Sequence, residues 1–254
     1  MQGTPPPTRW LTPSRDKPNA TIRLFCFPYA GGSSTNIYRS WQKLLPETIN
    51  VLPALLPGRG ERIAEAPLDR LSHIVAAAGH ELAPYFKQPF AFFGHSMGAL
   101  ICFELTRWLR RNNKPMPAHL FVSARRAPQL RELVEPIHDL PEPEFIERIR
   151  EIKGTPEEVL NHAELMQLMI PMLRADFSVF ETYSYESEPP LPCPLTVFSG
   201  VGDMEVSVAD LSPWEELTSA TYRLHLLPGD HFFIHTAPTL ITQIIARELI
   251  ARAA

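Results

Sequence analysis

Gly94-His95-Ser96-Met97-Gly98 constrains this chain more than any other stretch. Pro89 precedes an apolar run from Phe90 to Phe93, and the residues after the pentapeptide, Ala99-Leu100-Ile101-Cys102, continue in helical spacing. The pattern predicts a strand, a sharp turn and a helix, with Ser96 held at the turn in a strained backbone conformation. Residues two before and two after the serine must lack a Cβ that would collide across the turn. Gly94 and Gly98 satisfy that condition. The hydroxyl is then presented at a helix N-terminus, where backbone N–H groups can receive a developing oxyanion. The plainer alternative is a serine that only caps a helix.

With 254 residues the chain can bury one sizeable core. A formal net charge of -4 offers no general attraction for nucleic acid or for an anionic membrane. Cys26, Cys102 and Cys193 are far apart and form no Cys-x-x-Cys pair, so they are expected to be buried fillers in a reducing compartment. Neither a metal nor a cofactor is expected. The first residues lack an apolar signal core, and no apolar stretch is long enough to span a bilayer, which predicts a cytoplasmic protein.

Residues 1–20, rich in proline and polar types, read as a loosely held arm with Trp10 as its anchor. A buried strand is predicted over 21–27, running into Pro28-Tyr29-Ala30-Gly31-Gly32-Ser33. A turn of small residues after an early strand lets backbone approach a ligand, and the amides of Ala30 and Met97 are the candidate oxyanion donors. Alternatively the glycines serve only positive-φ positions. A helix over 36–45, a strand over 49–55 and a helix over 68–85 follow. The intervening Pro57-Gly58-Arg59-Gly60 lacks a phosphate-loop pattern and reads as a plain loop. The helix after Ser96 is predicted to end at Arg111 with Arg107, Arg110, Arg111 and Lys114 at its far end. Cations there suit the helix dipole, so a solvated face is the default. The sharper expectation is a docking surface for an acidic partner made by Arg107, Arg110 and Arg111 with Arg125 and Arg126, which follow a strand over 119–123.

The alternation of strands and helices then stops. Residues 127–194 are helical in pattern, near 142–153, 156–162 and 164–183, the last interrupted by Pro171. So long a connection predicts an inserted lid. Met166, Met169, Met172 and Phe177 are expected to give it substrate-binding surface, shared with packing onto the core. Strands resume at 194–200, followed by Asp203, and at 222–227, followed by Gly229-Asp230-His231-Phe232-Phe233, and a last helix is predicted over 238–251.

A serine nucleophile needs a base for its proton and a carboxylate to orient that base. In α/β-hydrolases these follow in the order serine, acid, histidine, each beyond the C-terminal end of a strand. Ser96, Asp203 and His231 meet both conditions. The expected fold is therefore the α/β-hydrolase fold, a mostly parallel central sheet flanked by helices, residues 21–254 forming one domain with the lid inserted. Asp230 and Glu205 do not leave strand ends as Asp203 does, and His225 lies inside its strand. His95 is expected to pack or hydrogen-bond, and His235 to be structural, since no Glu follows His231 to complete a zinc motif.

On four blocks the chain resembles the type II thioesterases of polyketide and nonribosomal peptide synthesis, and the related medium-chain thioesterase of fatty acid synthesis. The blocks are 27–33 (Phe-Pro-Tyr-Ala-Gly-Gly-Ser), 56–59 (Leu-Pro-Gly-Arg), 94–98 (Gly-His-Ser-Met-Gly) and 229–233 (Gly-Asp-His-Phe-Phe). The resemblance implies hydrolysis of acyl groups from the phosphopantetheine arm of an acyl or peptidyl carrier protein, to clear stalled or misprimed units. It implies Ser96 as nucleophile, His231 as base, Asp203 as its orienter, and Ala30 and Met97 as oxyanion donors. Tyr29 and Phe232, within the matching blocks, join the expected substrate contacts, and a monomer is expected. Asp230 departs from the family pattern, which often has glycine there, and a carboxylate at that place can raise the base's pKa. Two other readings remain open: an esterase or lipase acting on oxygen esters with the same triad, and a carrier-binding module without catalysis.

Overall fold

Strands as apolar along their length as those at the middle of this sheet need cover on both faces, and this chain supplies helices to both. The computed structural model describes residues 7–12, 17, 19–131 and 135–250. Six strands, β1 (Ile22–Phe27), β2 (Ile49–Pro53), β3 (Phe90–His95), β4 (His119–Ser123), β5 (Leu195–Gly200) and β6 (Tyr222–Leu227), form one sheet in the order β2-β1-β3-β4-β5-β6. All neighbouring strands are parallel. Among the described residues the helices are α1 (Ser34–Ile37), α2 (Trp41–Leu44), α3 (Leu71–Leu82), α4 (Met97–Arg111), α5 (Glu142–Ile152), α6 (Glu157–Leu160), α7 (Ala163–Glu181), α8 (Val208–Leu211), α9 (Phe233–Thr236) and α10 (Pro238–Ile250).

Successive strand residues point to opposite faces, which divides the core in two. Phe25, Phe27, Phe92, Val122 and Val197 pack with α3 and α4. Leu24, Cys26, Phe93, Phe121 and Phe198 pack with α1, α2 and α10. The single helix expected over 36–45 is two short ones. Tyr38 lies between them, wholly buried, with its hydroxyl donating to the Phe27 carbonyl at 2.6 Å and its ring edge-on to Trp41 and Phe93. Tertiary packing has overridden a helical period there. The three cysteines are buried. In the N-terminal segment, Trp10 is buried beneath the Arg62 guanidinium, and Leu11 bridges to Ala54. Residues 1–6, 13–16 and 18 of the expected arm lie outside the described residues.

From β1 the chain moves outward to β2, then crosses back to pair β3 on the other side of β1. The loops leaving β1 and β3 therefore diverge, and the crevice between them is where open α/β sheets bind ligands. Ser96 ends β3, and the Tyr29–Ser33 turn ends β1. Helices α5, α6 and α7 lie in the connection between β4 and β5, which are themselves adjacent in the sheet. No helix among the described residues is long and apolar enough to cross a membrane.

Candidate active site

Ser96 has φ 52° and ψ -114°, a backbone conformation that L-residues rarely adopt and that costs about 1–3 kcal/mol. Its surroundings hold it there. The Ser96 amide donates to the Ser123 carbonyl at 2.8 Å, tying the turn to the end of β4. A Cβ at Gly94 would run into the Gly98 carbonyl, and one at Gly98 into the Phe27 carbonyl. These are backbone obstacles that no rotamer change relieves. Met97 is the first residue of α4, so its amide lies at the positive end of the helix dipole. Among the described residues neither the Met97 amide nor the Ala30 amide donates a hydrogen bond, while Gly31 next to Ala30 donates to Asp176 and Gly32 to Tyr29.

Asp203 follows β5 and His231 follows β6. Gly200 brings the two loops together, because a Cβ there would collide with the Asp230 carbonyl, and the Gly202 amide donates to Gly229 at 2.9 Å. Asp203 Oδ2 lies 3.0 Å from His231 Nδ1, and Oδ1 accepts the amides of Glu205 at 2.9 Å and Val206 at 3.1 Å. Burial favours a protonated Asp203, but the His231 hydrogen bond and the two amides outweigh it and hold the carboxyl below its usual range. With the carboxylate accepting from Nδ1–H, His231 presents Nε2 as its basic atom.

Burial also favours a neutral His231, yet the Asp203 hydrogen bond and the Glu205 charge prevail and raise its pKa above the ordinary value. Glu205 Oε2 lies 3.8 Å from His231 Nε2. Burial, outweighing the attraction of His231, raises the pKa of Glu205 as well. Asp230, the residue that departs from the family pattern, turns away instead, accepting the Phe232 amide at 2.9 Å. The carboxylate whose charge raises the His231 pKa on the Nε2 side is Glu205, which the strand-end rule had passed over. For His231 to act as a base its ring must be neutral, and in that role kcat/KM is expected to rise with pH through an apparent pKa above 6.5. Glu205→Gln removes a negative charge beside the ring and should move that limb to lower pH. A pH–rate profile unchanged by the substitution would remove Glu205 as the cause.

His95 holds this arrangement from below. Its Nε2 lies 2.9 Å from the His231 carbonyl, which can only accept, so Nε2 carries the proton and Nδ1 accepts from the Ser123 hydroxyl at 2.9 Å. Burial, with the neighbouring His231 charge, keeps it neutral by lowering its pKa well below the ordinary value. His235 bonds the Tyr29 hydroxyl at 2.9 Å.

Ser96, His231 and Ala30 line one cavity of about 410 Å³, a size suited to a small ligand. Of the expected substrate contacts, Tyr29, Phe177 and Phe232 line it. Met166, Met169 and Met172 do not. They face α5 and α6 and form a separate cluster with Phe145 and Leu160, so these thioethers pack the insertion internally. Leu173 and Phe180 of α7 and Ile149 and Ile152 of α5 complete the apolar wall.

The five arginines expected to form a docking face are committed elsewhere. Arg107 is buried, paired with Glu104 at 2.6 Å and Glu188 at 2.8 Å. Arg110 and Arg111 share the same Glu188, so the three cations surround one carboxylate on the segment leading to β5. Arg126 pairs with Asp210, and Arg125 lies over the Phe180 ring at the cavity wall. The helix position that suggested a cationic face gave no sign of Glu188, which lies 78 residues beyond Arg110.

The family profile "Thioesterase domain" matches residues 22–249. The chain belongs to the thioesterase family. Among curated relatives of this thioesterase, "Gramicidin S biosynthesis protein GrsT" of Aneurinibacillus migulanus is 42% identical over 95% of this chain and 94% of its own length. "Linear gramicidin dehydrogenase LgrE" of Brevibacillus parabrevis is 44% identical over 96% and 93%. Despite the latter name, the thioesterase sequence contains no Gly-x-Gly-x-x-Gly dinucleotide fingerprint. Among solved structures, the RedJ thioesterase of the prodiginine pathway in Streptomyces coelicolor superposes with a TM-score of 0.84 at 35% identity, over 96% of this chain and 91% of that one. The six-stranded parallel sheet is that of an α/β-hydrolase thioesterase.

Proposed function

We propose that this thioesterase is a type II editing enzyme that hydrolyses acyl groups from the phosphopantetheine arm of acyl or peptidyl carrier proteins in polyketide or nonribosomal peptide synthesis. The observation that carries the reading is the Asp203–His231 pair opening onto the cavity that also holds Ser96. His231 Nε2 takes the Ser96 proton as Oγ attacks the thioester carbonyl. The amides of Ala30 and Met97 hold the oxyanion; the carbon–sulfur bond breaks, and the imidazolium returns the proton to the departing thiolate. Water, deprotonated by the same nitrogen, then attacks the acyl-serine; the bond to Ser96 Oγ breaks, Nε2 returns the proton to that oxygen, and the free acid leaves. Residues 127–194 act as a lid whose α5 and α7 side chains receive the acyl chain. The naming of relatives for gramicidin and prodiginine biosynthesis supports the carrier-bound substrate.

The discriminating experiment compares hydrolysis of acyl groups presented as carrier-bound thioesters, as free acyl-pantetheine and as matched oxygen esters. Preference for the carrier-bound thioester is expected. Faster turnover of the oxygen esters would make the protein an esterase. A Ser96 that fluorophosphonate does not label would mean that the site is vestigial.

A further inference from the structure

A buried ion pair joins the insertion to the turn that carries Ala30. Asp176 on α7 is fully buried and Arg59 nearly so. Asp176 Oδ1 accepts from Arg59 Nη2 at 2.5 Å, and Oδ2 accepts from Arg59 Nη1 at 2.9 Å. The same Oδ2 accepts the Gly31 amide at 2.7 Å, while Arg59 Nη1 also donates to the Gly32 carbonyl at 3.2 Å. A buried ion pair is seldom worth more than an apolar pair of equal volume. An apolar pair could not receive a backbone N–H.

The turn itself explains why that contact matters. The Gly32 amide donates to the Tyr29 carbonyl at 2.9 Å and Gly31 has φ +75°, which are the marks of a type II turn with Ala30 and Gly31 at its centre. Types I and II differ by a flip of the central peptide, and Asp176 grips the N–H of that peptide. Leu173, one turn earlier on α7, closes the other side, its Cδ2 lying 2.7 Å from where a Gly31 Cβ would be. The turn that carries the Ala30 amide is thus braced by a helix of the insertion.

We propose that Asp176 is a positioning residue for the oxyanion site, holding the turn so that the Ala30 amide faces the reacting carbonyl, with Arg59 holding the Asp176 carboxylate in place from its other side. The inference rests on the role given to Ala30 above. It also means that the part of α7 around Leu173 and Asp176 cannot swing away without releasing the turn.

Two double variants isolate the contact. Arg59→Met with Asp176→Leu removes the ion pair as a unit and leaves Gly31 without an acceptor; Arg59→Met with Asp176→Asn removes it equally but keeps an acceptor oxygen. The leucine variant should lose about 10- to 100-fold in kcat on acyl-pantetheine, with KM within about twofold, and slow in parallel in fluorophosphonate labelling of Ser96. The asparagine variant should recover most of both. Equal kcat in the two, or a loss confined to KM, would overturn the proposal. Asp176→Glu provides a test that keeps the charge: its longer side chain displaces the acceptor, so an unchanged kcat there would also count against it. A parent inert toward thioesters would sink the functional reading alone, because the labelling rates still report the turn.

Discussion

Replacing Ser96 by alanine is expected to lower kcat for thioester hydrolysis by about 10⁶-fold while leaving KM close to that of the parent. The size follows from how the site is wired. In the proposed mechanism Asp203 acts only through His231, and every proton His231 moves belongs to a reaction that runs through Ser96 Oγ, so removing the hydroxyl silences all three at once. What remains is the contribution of two amides and of binding, about 10³- to 10⁴-fold over water. The variant should fold normally, because the φ of 52° at Ser96 is held by its hydrogen bond to Ser123 and by Gly94 and Gly98, none of which needs the hydroxyl. Single-turnover hydrolysis of an acyl-pantetheine thioester by the purified variant, with a matching thermal transition, checks the result. Residual activity within tenfold of the parent would mean that another nucleophile does the work.

Asp203→Asn is expected to cost about 10⁴-fold in kcat with the geometry nearly intact. The structure gives a particular reason. The amides of Glu205 and Val206 both donate to Oδ1, so the asparagine must place its carbonyl oxygen there and its NH2 at the Oδ2 position, facing His231 Nδ1. Nδ1 would then have to accept, which moves the imidazole proton to Nε2. A ring protonated at Nε2 cannot take the Ser96 proton. Asp203→Ala leaves that tautomer unenforced and should be less damaged than the asparagine variant at the same pH. An asparagine variant within tenfold of the parent would show that the 3.0 Å contact does not govern the tautomer. Nitrogen-15 shifts of the His231 ring read the tautomer directly in both proteins.

Much of this site was legible in the order of residues. The strands 90–95 and 119–123 appear as apolar runs because a parallel sheet covered on both faces leaves no place for alternation. Asp203 and His231 stand out by their positions after strands, since a loop beyond a strand's C-terminal end is where this architecture brings distant residues together, here to 3.0 Å. Other features were invisible for physical reasons. Met166, Met169 and Met172 have the polarisable side chains of a binding surface, but which side of α7 meets the cavity depends on where α5 and α6 lie. Arg59 in its glycine-flanked loop looked like ordinary turn chemistry, because its partner Asp176 stands 117 residues away. Glu205 seemed a neighbour of the acid; only the fold of the loop after β5 puts its carboxylate beside Nε2.

By itself the order of residues determined what depends on a Cβ or its absence within a few positions: the strand–turn–helix at Ser96, where Gly94 clears Gly98, the positive φ open to Gly31, and the strands that feed them. These are steric facts local to the backbone, so they travel with the residues wherever the chain goes. The tertiary structure alone decided which charges are spent and which act, because a charged group's energy is set by whatever lies within a few ångströms of it. For Asp176 that includes an amide 145 positions earlier, and for the arginines of α4 a glutamate in the segment that leads to β5.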